Sequence, residues 1–180
     1  GSADAAATVR LLSKFYDKPE PPIEKLISLG SDVPVCMQKG IVRMMGVGED
    51  IINLSPAPKV GILLVNPRKA LSTAEVFNAV KEKNNPGVNL QGCIEKKLNS
   101  WFDWINSMRN DLTASAIDLI PEIRFILDKL ITCDGARVVR MSGSGATCFA
   151  LFEDFGLLQD AKVKIMKECP SFWCEAGELI

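Results

Sequence analysis

Apolar residues at Ala6, Val9, Leu12 and Phe15 recur at helical spacing and predict a helix over residues 4–16, with Asp4 in its first turn. Pro19, Pro21 and Pro22 end it, and a short apolar helix, Ile23 to Leu29, runs up to Gly30. Pro34 biases Val33 toward an extended backbone. Residues 35–54 predict a β-hairpin, with Ile41–Met45 and residues 51–54 as its firmest strands and Gly46 and Gly48 bracketing the turn. Pro56-Ala57-Pro58 forms a connector and a domain boundary.

The unbroken apolar run 60–65 predicts a buried central strand, closed by Asn66-Pro67. Ser72-Thr73 caps a predicted helix over 74–80, with Glu75 in its first turn. A polar loop over 81–92 follows. Ile94, Leu98, Trp101, Phe102 and Ile105 then form a helical stripe, and residues 111–120 and 121–132 predict two more helices. Pro121 suits the first position of the second. Gly135 introduces a strand over 136–141. The loop Ser142-Gly143-Ser144-Gly145 leads to a strand over 147–152, an amphipathic helix over 157–167 and a last strand over 172–176. From Val60 onward this order predicts an α+β fold with helices on one face of a mainly antiparallel sheet.

Composition narrows the chemistry. The 180 residues, 47% hydrophobic, suit one domain or two small ones and are too few for an eight-fold β/α barrel. The 21 basic and 22 acidic residues leave a net charge of −1, so no global attraction for nucleic acid or an anionic membrane is expected. The histidine count is zero, which removes Ser-His-Asp and Cys-His mechanisms, His-ligated zinc and His general bases. Acid/base work falls to Asp, Glu, Lys, Tyr or Cys. The six cysteines include no C-x-x-C pair. Cys36 and Cys148 read as small core residues, and a reduced, cytoplasmic compartment is expected. No basic-then-apolar leader layout and no membrane-spanning apolar run are visible. The opening Gly1-Ser2 reads as an expression scar or as a cut within a longer protein.

Three segments could carry chemistry. The loop Ser142-Gly143-Ser144-Gly145-Ala146-Thr147 allows close backbone approach and an anion nest of successive N–H groups; it equally suits a tight strand connection without a ligand. Asp32, in a proline-stiffened loop, is a natural base for a hydroxyl proton, or an Asp that hydrogen-bonds its own turn. The small residues Gly1-Ser2-Ala3-Asp4-Ala5-Ala6-Ala7 can open a helix onto a phosphate, or form an ordinary helix cap. Trp101, Phe102 and Trp104 read as core aromatics, and Glu95, Lys96 and Lys97 as a solvated face. Phe77, close to Ser72-Thr73, either lines a ligand cleft or packs in the helix core, and the pattern alone favours the core.

Taken together and in order, these segments resemble the GHMP small-molecule kinases. Gly1-Ser2-Ala3-Asp4-Ala5-Ala6 resembles the tail of that family's glycine-rich ATP loop. Leu29-Gly30-Ser31-Asp32-Val33-Pro34, Gly46-Val47-Gly48-Glu49, Asn66-Pro67 with Ser72-Thr73 and Val76-Phe77, Asn110-Asp111-Leu112, and Met141-Ser142-Gly143-Ser144-Gly145-Ala146-Thr147 resemble its later motifs. The resemblance points within the family to the branch that phosphorylates the 2-hydroxyl of a cytidine-diphosphate-linked methylerythritol on the non-mevalonate route to isoprenoid precursors. It implies ATP and Mg²⁺, Asp32 as the catalytic acid/base, Gly1 and Ser2 at the ATP phosphates, and Gly143, Ser144 and Gly145 in the active-site wall. It also implies Phe77 near the cytosine. The fold implied is the end of a ribosomal-protein-S5-like, ATP-binding N-terminal domain over residues 1–58, followed by a ferredoxin-like α/β sandwich over 59–180. The family's upstream Lys and most of its glycine loop are missing here. The chain is therefore expected to be a C-terminal portion, inactive alone, that either self-associates or needs the missing N-terminal segment as a separate chain. Its partner is then a small-molecule substrate rather than nucleic acid or a membrane. A homoserine- or mevalonate-type kinase and a non-catalytic ferredoxin-like binding module are the alternatives.

Overall fold

The computed structural model describes residues 1–46, 48–88, 90 and 97–179. Internal contacts divide the chain into two compact units, Gly1–Ala57 and Pro58–Ile180. The predicted stripe position Ile94, together with Val47, Cys93, Glu95 and Lys96, lies outside the described residues.

The first unit comprises α1 (Ser2–Phe15), α2 (Ile23–Leu29), α3 (Val33–Met37) and an antiparallel hairpin of β1 (Ile41–Met45) and β2 (Asp50–Ser55). Its small core is Ala6, Leu26, Val33 and Met37, bordered by Ala5, Val9 and Cys36. The expectation of extended backbone at Val33 and of a hairpin starting at residue 35 is corrected, because this stretch is α3. Pro34 sits in the first turn, where its missing N–H would have had no partner. Cys36 N–H donates to the Asp32 carbonyl at 3.1 Å, and Arg10 of α1 donates to the Cys36 carbonyl at 2.7 Å. These bonds supply what so short a helix cannot supply by itself. The stripe on α1 is only partly used. Ala6 is buried, whereas Leu12 is 48% and Phe15 76% exposed.

The second unit comprises β3 (Val60–Asn66), α4 (Thr73–Ala79), α5 (Leu98–Ser107), α6 (Thr113–Leu119), α7 (Glu122–Ile131), β4 (Ala136–Met141), β5 (Cys148–Phe152), α8 (Phe155–Glu168) and β6 (Trp173–Leu179). Its four strands form an antiparallel sheet in the order β4-β5-β3-β6, the split β-α-β arrangement of ferredoxin-like folds. In β3, Leu63 pairs with Ala150 on one side and Ala176 on the other. Strand alternation puts Leu63, Val65, Cys148, Ala150, Phe152 and Cys174 on one face. There they meet Ile123, Ile126 and Leu130 of α7 and Leu158, Ala161 and Ile165 of α8. Each large aliphatic side chain buried there contributes about 1.5–3 kcal/mol.

Not every helix joins that layer. Arg140 alternates with Val139 and Met141 and so leaves the opposite face, where its Nη2 donates to the Ile105 and Asn106 carbonyls of α5, both at 2.9 Å. Asn106 Nδ2 returns a bond to the Arg137 carbonyl at 2.8 Å. The predicted helix over 157–167 starts earlier, at Phe155. The cause is Asp154, whose Oδ1 accepts from Gly156 N–H at 2.6 Å and Leu157 N–H at 3.0 Å. Pro121 is the cap of α7 rather than its first helical residue, and the last strand runs on to Leu179.

Candidate active site

In the first unit, α2 stops at Gly30 and α3 starts at Val33, with Val33 and Pro34 buried. That burial fixes the two-residue step Ser31-Asp32 and leaves both side chains exposed. Asp32 occupies the cap position of α3 but makes no side-chain cap bond. Among the described residues its carboxylate has one recorded contact, Ser31 Oγ at 3.5 Å. The alternative in which Asp32 stabilises its own turn through backbone N–H groups is therefore not what the geometry shows.

Two further elements converge on this step. Gly48 (φ +106°) brings the hairpin turn against Ser31, close enough that a Cβ there would collide with the Ser31 carbonyl. A Cβ on Gly30 would stand 3.7 Å from Ser2 Oγ, so the start of α1 lies beside the same loop. Gly1 is the cap residue of α1. The fourteen-residue α1 thus opens its positive end next to the loop that carries Asp32.

In the second unit, Ser142–Gly145 joins β4 to β5. Ser142 N–H donates to the Thr147 carbonyl and Gly145 N–H to the Ser142 carbonyl, both at 2.9 Å. Gly143 (φ +53°) and Gly145 (φ +89°) take the left-handed backbone that this turn requires. The N–H groups of Gly143 and Ser144 have no recorded acceptor among the described residues. Consecutive free N–H groups in such a turn suit an anion or a carbonyl of a ligand.

Polar side chains from three places hold this loop. Thr73 Oγ1 and Ser144 Oγ share a hydrogen bond at 2.9 Å. Asn66 Nδ2 donates to Thr147 Oγ1 at 2.9 Å. Asn110 Nδ2 donates to the Met141 carbonyl at 3.1 Å and to the Gly143 carbonyl at 2.8 Å. Phe77 stands one turn beyond Thr73 on α4 and is 55% exposed. The expectation of a core role for Phe77 is corrected, since Val76 fills the buried face of α4. A cleft of about 360 Å³ adjoins Asn110, lined by Lys81, Glu82, Asn85, Asp111 and Ser115 among others. Beneath the loop, burial pushes the Cys148 thiol up to about 12, as suits an inert core cysteine.

The structure brings Ser2 beside the Asp32 loop within the first unit, and within the second it ties α4, the helix that carries Phe77, to the glycine turn through Thr73 and Ser144. The sequence marks Asn66 as the end of a strand, Thr73 as part of a helix cap and Asn110 as a motif residue, but not their hold on the glycine turn. Their signal was an isolated polar side chain just before or just after a regular element, where a free amide or hydroxyl can reach a neighbouring loop. Among the described residues no three Cys, Asp or Glu converge on a metal-sized space, and no helix is long and apolar enough to cross a membrane.

Comparison with known proteins fits this arrangement. Residues 90–170 match the family model described as GHMP kinases C terminal. The 4-diphosphocytidyl-2-C-methyl-D-erythritol kinase of Agrobacterium fabrum is 40% identical over 184 residues, covering 100% of this chain and 61% of that protein. A solved 4-(cytidine 5'-diphospho)-2C-methyl-D-erythritol kinase superposes with a TM-score of 0.75 at 24% identity, over 97% of this chain and 63% of that one. The homoserine kinase of Cytophaga hutchinsonii superposes with a TM-score of 0.67 at 14% identity, over 99% and 64%. The chain therefore spans about three fifths of the length of such relatives, 61% in the first case. Residues 90–170 thus match the C-terminal domain of the GHMP kinases, and the chain is similar along its whole length to kinases that carry that domain.

Proposed function

We propose that this chain supplies part of the active site of a kinase that moves the γ-phosphoryl group of ATP to the 2-hydroxyl of 4-diphosphocytidyl-2-C-methyl-D-erythritol. The observation that carries this reading is the 40% identity along the entire chain to a relative named for that activity. The local geometry supports it. The Asp32 carboxylate is exposed and unused by its own turn, so it is available to take the alcohol proton as the alcohol oxygen bonds to phosphorus and the bond to the ADP oxygen breaks. Gly1 and Ser2, at the positive end of α1, fit a nucleotide phosphate. Phe77 offers an exposed ring for the cytosine, and the Gly143, Ser144 and Gly145 turn offers free N–H groups to the acceptor.

Mg²⁺ belongs to this reading as the counter-ion of the nucleotide phosphates. Among the described residues no three acidic or cysteine side chains converge to hold it. We place the protein in the cytoplasm, acting on a small molecule, with the 180-residue chain associating with copies of itself through the bare face of α1. The reading is tested at the full length of the relatives, by ADP release with the cytidine-linked alcohol, homoserine and mevalonate offered separately. Turnover with the first alone supports it. Turnover with homoserine or mevalonate instead, or with none of the three, overturns it.

A further inference from the structure

The glycine turn is held unevenly. At Gly145 it is packed, and an added Cβ would meet Met141 Sδ at 2.9 Å, Leu71 at 3.2 Å and Ile123 at 3.4 Å. At the apex, Gly143 has nothing within 4 Å of the same position. The shape of the apex is therefore set by hydrogen bonds and not by packing. Two of the turn's carbonyl groups, Met141 and Gly143, accept from the single amide nitrogen of Asn110, which comes from 33 residues away, just before α6. Its other amide atom is also committed. Oδ1 accepts from Leu112 N–H at 3.0 Å and fixes the side chain against its own backbone.

We propose that Asn110 is the positioning residue of the substrate-side turn. It anchors the Gly143 carbonyl so that the free N–H groups of Gly143 and Ser144 stay presented to the acceptor substrate. The proposal rests on the function argued above. Asn110 touches no reacting atom and acts only through the turn. The two ends of its amide do separable jobs, one holding the turn and one supporting the start of α6.

Asn110→Asp separates them. A carboxylate keeps the acceptor for Leu112 N–H but offers no N–H to Met141 and Gly143. Asn110→Ala removes both. The experiment is amide hydrogen exchange on the 180-residue chain, followed at Ser142 and Gly145, whose N–H groups close the turn, and at Leu63 in the central strand. It is paired with a titration of cytidine 5'-diphosphate into the protein at the full length of the relatives. For Asn110→Asp we expect exchange at Ser142 and Gly145 to rise about tenfold or more, Leu63 to keep its wild-type rate, and affinity for cytidine 5'-diphosphate to fall about tenfold. Wild-type exchange at Ser142 and Gly145 in Asn110→Asp overturns the proposal, including the case in which only Asn110→Ala disturbs them. If the wild-type protein at the full length of the relatives does not bind cytidine 5'-diphosphate, the functional reading is what fails, and the exchange rates still decide the role of Asn110.

Discussion

At the residue scale the two turn glycines have different reasons to be glycine. Both hold positive φ, so any side chain strains the backbone by about 1–2 kcal/mol. Only Gly145 also faces packed atoms, Met141, Leu71 and Ile123. Gly145→Ala is therefore expected to lower the denaturant midpoint clearly more than Gly143→Ala, while Gly143→Ala acts mainly on binding of the cytidine-linked substrate. Equal midpoints for the two variants would contradict this. Sequence reading treated the pair alike, because a glycine's neighbours come from distant segments that spacing does not reveal. Asp32 shows the same limit. Its loop was visible in the sequence, but the fact that its carboxylate leaves α3 uncapped is a property of the folded turn.

At the element scale the strands were the most legible part. Continuous apolar runs marked β3 and β5, and a glycine at each end framed β4. The failures came where a cap or a proline outweighed the apolar pattern. Residues 35–37 looked extended but fold as the end of α3, because Pro34 costs nothing in a first turn and Arg10 takes up the Cys36 carbonyl. The start of α8 was placed two residues late because the cap is a single Asp154 outside the apolar stripe. Asp154→Ala is accordingly expected to cost about 1 kcal/mol of unfolding free energy in denaturant titration, with Asp154→Asn recovering most of it. A neutral Asp154→Ala variant would mean that packing on β3 and β6 alone defines the helix. The apolar stripe marks the buried face of α5, Trp101 and Phe102, but its polar tie to Arg140 and Asn106 is something no hydrophobic period encodes.

At the scale of the whole molecule the two units are unequally furnished. Among the described residues, Pro58–Ile180 closes a core from eight elements, four of them the strands of its sheet, whereas the core cluster of Gly1–Ala57 is four apolar side chains. On α1 Leu11, Leu12 and Phe15 are 66%, 48% and 76% exposed, and Tyr16, which caps it, is 63% exposed. So much apolar surface on one short helix favours association. Light scattering after size exclusion is expected to give the 180-residue chain a mass above its 19.7 kDa monomer, and Leu12→Glu with Phe15→Glu to restore the monomer. A monomer at all concentrations would contradict that.

The central claim, that Asp32 serves phosphoryl transfer, is tested most directly by the turnover of Asp32→Asn at the full length of the relatives. The acceptor is 4-diphosphocytidyl-2-C-methyl-D-erythritol, with ADP release and thermal melting measured side by side. The substitution is nearly isosteric, and the side chain it replaces is exposed and caps nothing. We expect kcat to fall by about 10²–10⁴ with an unchanged melting temperature. Full turnover in the variant would contradict the account and remove Asp32 from the mechanism.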